Sequence, residues 1–300
     1  MLVIASRGSQ LALWQAHWVE EQLTNAGHEC RIEIIKTTGD KITDVPLAKV
    51  GGKGLFTKEI EEALLAGRAD VAVHSLKDLP TQNPAGLTLA AVPERADPRD
   101  AVVGQRLSDL KPGGKIGTSS LRRSAQLKYL RPNVQIENLR GNLDTRLRKL
   151  DEGQYDAILL AAAGLRRLGW ADRIAELLPP YKMCPAVGQG ALGIQTRETG
   201  DALEICRTTM DDASTHAAVT AERGLLARLG GGCQVPIGGF ATVDSGELML
   251  RGVVISPDGA DRLYDEETGP VADAWQIGQQ LGARLLEQGA MRILASVFSA

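Results

Sequence analysis

Leu2-Val3-Ile4-Ala5-Ser6-Arg7-Gly8-Ser9 opens the chain, and directly behind it Leu11, Trp14, Trp18, Val19 and Leu23 recur at helical spacing. A short apolar run, a polar turn and an amphipathic helix in that order make half of a βαβ unit. The pattern continues: runs at Arg31 to Lys36, Asp70 to His74, Leu87 to Val92, Lys115 to Gly117, Val134 to Asn138 and Tyr155 to Leu160 alternate with helical stripes such as Ile60, Ala63 and Leu64. The expected class is therefore α/β, with parallel sheets covered by crossover helices. The last third differs: a helix from Ser214 to Leu229, three β-patterned runs at Ile237 to Val243, Glu247 to Ile255 and Asp261 to Glu267, then a helix from Val271 to Glu287. Strands in succession beside helices predict a small separate α+β domain. Composition shifts at Pro93 to Arg99 and at Pro179-Pro180 to Gly190 mark two hinges. The sequence shows no internal repeat and no low-complexity segment.

A chain of 300 residues exceeds the usual single-domain size, so two or three cores are expected. Hydrophobic residues make up 43% and aromatics only 4%, so those cores are aliphatic, and the stacked rings that single-stranded nucleic acid needs are lacking. The formal charge of −3 gives no global field to recruit nucleic acid or a membrane surface, so any anion site must be local. The N-terminal apolar run is too short for a signal peptide and no later run reaches membrane-spanning length, which predicts a cytoplasmic location. Cys30, Cys184, Cys206 and Cys233 are widely scattered and the His residues unrelated in spacing, suggesting neither a zinc site nor a disulfide framework.

Ligands of open α/β sheets bind beyond the carboxyl ends of strands. Four such ends carry arginine: Arg7 in Ser6-Arg7-Gly8-Ser9; Arg122 and Arg123 behind Gly117-Thr118-Ser119-Ser120; Arg140-Gly141-Asn142 with Arg146; and Gly164-Leu165-Arg166-Arg167. Hydroxyls and guanidinium groups at a helix N-terminus form a pocket for carboxylate or phosphate. Ordinary capping would equally explain the Ser and Thr at any one end. Arg148 and Arg173 read as solvated helix surface.

The run Ala69 to Val73 ends in His74-Ser75-Leu76-Lys77-Asp78-Leu79-Pro80. There Asp78 is either a general acid/base or counter-ion to a cationic intermediate, or simply a turn residue before Leu-Pro. Thr38 to Gly54, rich in Gly, Asp and Lys, reads as a long loop, a binding lid or a plain surface connection. In Arg228-Leu229-Gly230-Gly231-Gly232-Cys233-Gln234-Val235-Pro236 the glycines strip side chains from around one thiol. That pattern fits an accessible reactive cysteine, or a glycine helix stop followed by a small buried Cys.

Together these segments resemble the porphobilinogen deaminase (hydroxymethylbilane synthase) family over essentially the whole chain. The resemblance rests on Ser6-Arg7-Gly8-Ser9 before Leu11-Ala12, on Lys49-Val50-Gly51-Gly52-Lys53-Gly54-Leu55-Phe56, and on His74-Ser75-Leu76-Lys77-Asp78. It continues through Gly117 to Arg123, Leu139 to Asn142, Pro185-Ala186-Val187-Gly188-Gln189-Gly190, and Glu222-Arg223 leading into Gly231-Gly232-Cys233. It implies an α/β fold of two domains like type 2 periplasmic binding proteins with a cleft between them, plus a small C-terminal α+β domain. The implied boundaries are 1–95 with 190–210, 96–189, and 211–300, the last anchoring the cofactor.

By the same resemblance, Cys233 holds a dipyrromethane cofactor through a thioether. Porphobilinogen units are added to it head to tail with loss of ammonia, and hydroxymethylbilane is released by hydrolysis. Each pyrrole carries an acetate and a propionate, which gives the arginines a purpose. The implied cofactor-binding set is Ser75, Lys77, Thr118, Ser119, Ser120, Arg122, Arg123, Arg140, Gly141 and Lys53. The implied substrate-binding set is Arg7, Ser9, Arg140, Arg146, Arg167, Gln189 and Lys49. Asp78 is the implied catalytic residue, stabilising an azafulvenium cation and managing protons at the new junction. Gly8 and Gly230 depart from residues found in some relatives. The expected partners are porphobilinogen and the growing polypyrrole, acting on a monomer without nucleic acid, membrane or metal. An anion or solute-binding module of the same architecture would need the arginines but neither Cys233 nor Asp78. A cysteine-dependent acyl or phosphoryl transferase would need a base near the thiol, and no His is close to Cys233 in sequence.

Overall fold

The computed structural model describes residues 1–41, 54–231 and 235–298. The chain divides into two compact units, Met1–Ala96 with Ala191–His216, and Asp97–Gly190 with Ala217–Ala300.

In the first unit, strand β1 (Leu2–Ser6) runs into the helix Gln10–Asn25, whose Ser9 cap accepts a hydrogen bond from the Ala12 N–H. Ala16, Val19 and Leu23 of that helix are fully buried, as the stripe predicts. Strand β2 (Cys30–Ile34) lies parallel to β1 on one side. After the helical turn Thr38–Lys41 and the helix Lys58–Leu65, β3 (Val71–Ser75) lies parallel on the other. Strand β4 (Leu87–Ala91) completes this part of the chain.

The second unit begins with a sheet of β5 (Asp100–Gly104), β6 (Lys115–Gly117), β7 (Gln135–Glu137), β8 (Ala157–Ala161) and β9 (Ile174–Leu178), in the order β7-β6-β8-β5-β9. The chain then returns as β10 (Leu192–Arg197), which enters the first sheet between β3 and β4 to give β2-β1-β3-β10-β4. Both sheets are mixed: β5 is antiparallel to β8 and β9, and β10 to β3 and β4. The expectation of wholly parallel sheets is thus corrected. A parallel neighbour requires a crossover connection on the same sheet, whereas β5 and β10 each arrive directly after the chain has passed from one unit to the other. Neither strand was expected, and nor was β9.

The rest of the second unit is an antiparallel meander, β11 (Ile237–Asp244), β12 (Glu247–Ile255) and β13 (Arg262–Pro270), packed against the helices Ala213–Arg228, Ala274–Glu287 and Ala290–Phe298. Its core is the aliphatic set Leu225, Leu248, Leu250, Val254, Leu281 and Leu285, with no exposed surface on any of them. The terminal helix was not expected. No helix among the described residues is long and apolar enough to cross a membrane.

Two of the C-terminal helices cross where both carry glycine. A Cβ on Gly278 would lie 2.2 Å from the Ala221 carbonyl oxygen and 2.7 Å from the Leu225 nitrogen, and the Gln279 side chain donates to the Gly224 carbonyl across the same contact. Backbone cannot yield there as a flexible side chain would. Gly278→Ala is expected to cost at least about 1–3 kcal/mol, the usual penalty of overpacking, and to lower the thermal midpoint. An unchanged midpoint would show that the helices are free to separate.

Candidate active site

The candidate residues fall in both units. In the first, Asp78 ends a 3-10 turn, Leu76–Asp78, that follows β3 without an intervening residue. The turn is held from several sides. Its Leu76 N–H donates to the Ala191 carbonyl (3.1 Å), and Leu76 and Leu79 are buried. Gly193, paired with His74 across the sheet, leaves the space that Leu76 fills: a Cβ there would sit 2.8 Å from Leu76 Cδ1. Ser75 Oγ and the Gln15 amide exchange hydrogen bonds at 2.9 and 3.2 Å. On this rigid support the half-buried Asp78 carboxylate makes no hydrogen bond or ion pair among the described residues. Lys77 is half-buried in the same turn.

At the end of β1, Arg7 does not project freely. Its Nε donates to Asp40 Oδ1 (3.1 Å), and its guanidinium lies 4.1 Å from the Phe56 ring centroid. Burial works to raise the Asp40 carboxyl, but hydrogen bonds from Arg7 and Thr37 prevail and hold it below the usual carboxylate range. Phe56 rests on Gly39, where a Cβ would come within 2.2 Å of the ring. The Gly39 N–H also donates to the Leu55 carbonyl (2.7 Å), closing the base of the expected loop. Thr38–Lys41 forms a helical turn and not loop. Lys49 and Lys53 lie outside the described residues. Ser9 uses its hydroxyl as the helix cap already described.

In the second unit, the helix Leu121–Leu130 starts where the hydroxyls were expected. Ser120 caps it by accepting from the Arg123 N–H, Thr118 Oγ1 accepts from the Ser120 N–H (3.2 Å), and Ser119 is exposed. Arg122 and Arg123, however, point inward, only 3% and 6% exposed. Both close on Asp100, the first residue of β5, which is wholly buried: Arg122 Nη1 donates to Oδ2 at 2.6 Å and Arg123 Nε to Oδ1 at 2.8 Å. Burial alone would raise the Asp100 carboxyl; the two guanidinium charges reverse this and hold it far below the carboxylate range.

Gln189 belongs to the same cluster. Its Nε2 donates to Asp100 Oδ1 (2.9 Å) and to the Pro98 carbonyl (2.7 Å), while its Oε1 accepts from Arg123 Nη2 (3.3 Å). Arg122 Nη1 also donates to the Cys184 carbonyl (2.6 Å). Two cations thus meet one carboxylate, and Arg122 Nε–H is buried without a partner among the described residues.

Arg140 is half-buried, and its carbonyl accepts from Lys149 Nζ (3.3 Å). Gly141 adopts φ +116°, and its carbonyl accepts from Arg146 Nε (2.8 Å). Arg167 donates to the Gly190 carbonyl (2.8 Å), and burial draws its guanidinium down to about 10. Arg148 and Arg173, read as surface, pair with Glu152 and Asp151.

Cys233 lies outside the described residues, but its approach does not. The helix Ala213–Arg228 stops at Gly230 in the left-handed region (φ +65°), with Gly231 N–H donating to the Leu226 carbonyl at 3.0 Å. Gly230 is required by its positive φ, and a Cβ on Gly231 would come within 2.6 Å of Leu226 Cδ1 and 2.8 Å of Ile237 Cδ1, so both have a local reason before the thiol is reached. Of the described cysteines, Cys184 and Cys206 are buried, and burial pushes both thiols up to about 12. Sequence reasoning missed Asp100, Asp40 and the partners of His74. Asp100 could have been noticed as a lone carboxylate leading the apolar run Ala101-Val102-Val103.

Two family models match the chain: "Porphobilinogen deaminase, dipyromethane cofactor binding domain" over residues 2–204, and "Porphobilinogen deaminase, C-terminal domain" over residues 216–287. A porphobilinogen deaminase of Syntrophobacter fumaroxidans is 52% identical over 303 residues, covering 99% of this chain and 98% of its own. One of Thiobacillus denitrificans is 51% identical over 298 residues, covering 98% and 97%. Among solved structures, a periplasmic substrate-binding protein of an ABC transporter from Coxiella burnetii has a TM-score of 0.45 at 12% identity, covering 74% of this chain and 97% of that one. On the sequence matches, which run nearly from end to end, the chain belongs to the porphobilinogen deaminase family.

Proposed function

We propose that this enzyme condenses four porphobilinogen molecules head to tail onto a dipyrromethane primer at Cys233, losing ammonia at each addition and releasing hydroxymethylbilane by hydrolysis. The observation that carries this reading is Asp78, a carboxylate on a rigid turn with its hydrogen-bonding capacity unspent among the described residues. We assign it three domains, 1–95 with 190–210, 96–189, and 211–300. It works in the cytoplasm as a monomer, on porphobilinogen and the growing polypyrrole, without nucleic acid or membrane.

The donor set suits a dipyrromethane, whose pyrroles each carry an acetate and a propionate. Two guanidinium groups share one carboxylate, one buried Nε–H is unpartnered, and an exposed Ser119 stands at the start of a helix. Positive charge is in excess there, and a carboxylate would offset it. Arg122 and Arg123 contribute chiefly as that buried excess charge, since most of their donors are already engaged. When bound, the dipyrromethane supplies the pyrrole carbon to which the first substrate unit is joined.

Thr118, Ser119, Ser120, Arg140, Gly141, Ser75, Lys77 and Lys53 hold primer carboxylates, and Arg7, Ser9, Arg146, Arg167, Gln189 and Lys49 those of substrate. Asp78 Oδ faces the positive charge that develops on the substrate pyrrole, takes up the proton lost as the new bond forms, and returns that proton to the departing amine of the next unit. Cys184 and Cys206 are unsuited to anchoring because burial keeps them as thiols, whereas Cys233 follows three glycines in the sequence. An anion-binding module is not favoured: it has no use for Asp78, and the relatives at about half identity carry the enzyme's name.

Active wild-type protein should weigh more than the 32.0 kDa of its bare sequence by one dipyrromethane, and Cys233→Ser should lack both the extra mass and activity. Bare mass in active material would overturn the anchor. Asp78→Asn should keep the added mass while turnover falls by about 10²–10⁴-fold. Near-native turnover in that variant would remove Asp78 from the chemistry.

A further inference from the structure

Behind the Asp78 turn lies a buried polar chain that the reaction does not use directly. His74, the residue before Ser75 on β3, is buried with its Nε2 3.0 Å from Gln195 Oε1. Gln195, on β10, has no exposed surface, and its Nε2 lies 3.3 Å from Glu61 Oε1 and 3.5 Å from Asn83 Oδ1. One amide therefore joins the end of β3, the helix Lys58–Leu65 and the segment leading into β4.

The donors and acceptors can be assigned. With its nitrogen facing the Glu61 carboxylate and the Asn83 oxygen, Gln195 has its own oxygen left to accept, so His74 Nε2 carries a hydrogen. Burial keeps the ring neutral, drawing His74 down to about 4 and pushing the Glu61 carboxyl up. Apolar side chains would fill this space without the cost of desolvating three polar groups. What they would not provide is direction: a satisfied hydrogen-bond chain fixes the angle of a strand end as dispersion contacts do not. That angle matters because the Leu76–Asp78 turn continues straight from β3. Across from His74 the strand partner is Gly193, so no side chain pairs with the ring there, and Gln195, two residues along, supplies the side-chain hydrogen bond that the ring receives from β10.

We infer that Gln195 is a positioning residue, which orients the Asp78 turn by binding His74 and Glu61 at once. The inference rests on the proposed role of Asp78.

The test compares the cofactor-loaded variants Gln195→Leu, Gln195→Asn, Gln195→Glu and Asp78→Asn, measuring kcat, KM, intact mass and thermal midpoint. Gln195→Leu breaks the chain. Gln195→Asn keeps the amide but is a methylene too short to reach both partners, and it serves if the Leu variant does not fold. Each is expected to lose about tenfold to a hundredfold in kcat, with KM within about twofold and the cofactor mass retained. Gln195→Glu keeps an acceptor for His74 and shares a proton with Glu61, and should recover at least about half of the native kcat. Native kcat in a folded Leu or Asn variant overturns the inference. So does a loss that follows missing cofactor mass, or one that Glu does not restore. If Asp78→Asn itself turns over normally, the reading of Asp78 falls; if it is inactive while the Gln195 variants are native, only the positioning role falls.

Discussion

Asp100 sits with no exposed surface between Arg122, Arg123 and Gln189, and much of the second unit is arranged around keeping it ionised. Removing a carboxylate from water costs several kcal/mol, and each buried guanidinium adds its own penalty. The geometry offsets this with short charge-assisted bonds on both oxygens. Once formed, the cluster ties three separate segments together: the start of β5, the first turn of the helix Leu121–Leu130, and the stretch from Cys184 to Gln189. Cys184 N–H donates to Gln126 Oε1 at 2.7 Å, and Gly188 N–H donates to Glu222 Oε2 at 2.7 Å. Through Glu222, which also accepts from Ala241 N–H at 2.8 Å, the same stretch is fixed to β11 and the C-terminal sheet.

The first unit solves a related problem without a buried cation. His74, Gln195 and Glu61 are also buried, but their chain holds only one carboxyl and no guanidinium. A cluster with two guanidinium groups suits a place where excess positive charge is to be kept for an anion; a chain without a fixed cation suits a support behind a carboxylate, where such a cation would compete for Asp78. Both sheets bring in these groups on or beside the strand that runs backward: Asp100 on β5 and Gln195 on β10.

That placement explains what was legible in the sequence. Ser9, Ser120, Arg122, Arg123 and Asp78 follow strands directly, so their positions come from local pattern. Asp100 and Gln195 do not. Each meets its partner through an antiparallel pairing that depends on the chain's return from the other unit, which no local periodicity encodes. Strand β5 is a run of only three apolar residues behind an Asp, and β10 carries Gly193, Gln195 and Thr196, so neither announces itself as a strand. The inward turn of Arg122 and Arg123 was likewise hidden: a helix-start arginine looks the same in sequence whether its partner is a ligand or a buried Asp. The proposed anchor at Cys233 was legible only through the resemblance to a family, since a glycine helix stop explains the same letters.

The most direct measurement is a double-mutant cycle between Asp100 and Arg123, with Asp100→Asn, Arg123→Leu and the double variant unfolded in denaturant. If the buried carboxylate and guanidinium depend on each other, each single change should cost about 3–5 kcal/mol, because it strands a buried charge. The double variant should then be less destabilised than their sum by at least about 1 kcal/mol. Additivity to within about 0.5 kcal/mol would contradict the account, because it would mean that the two charges stand in the interior independently of one another.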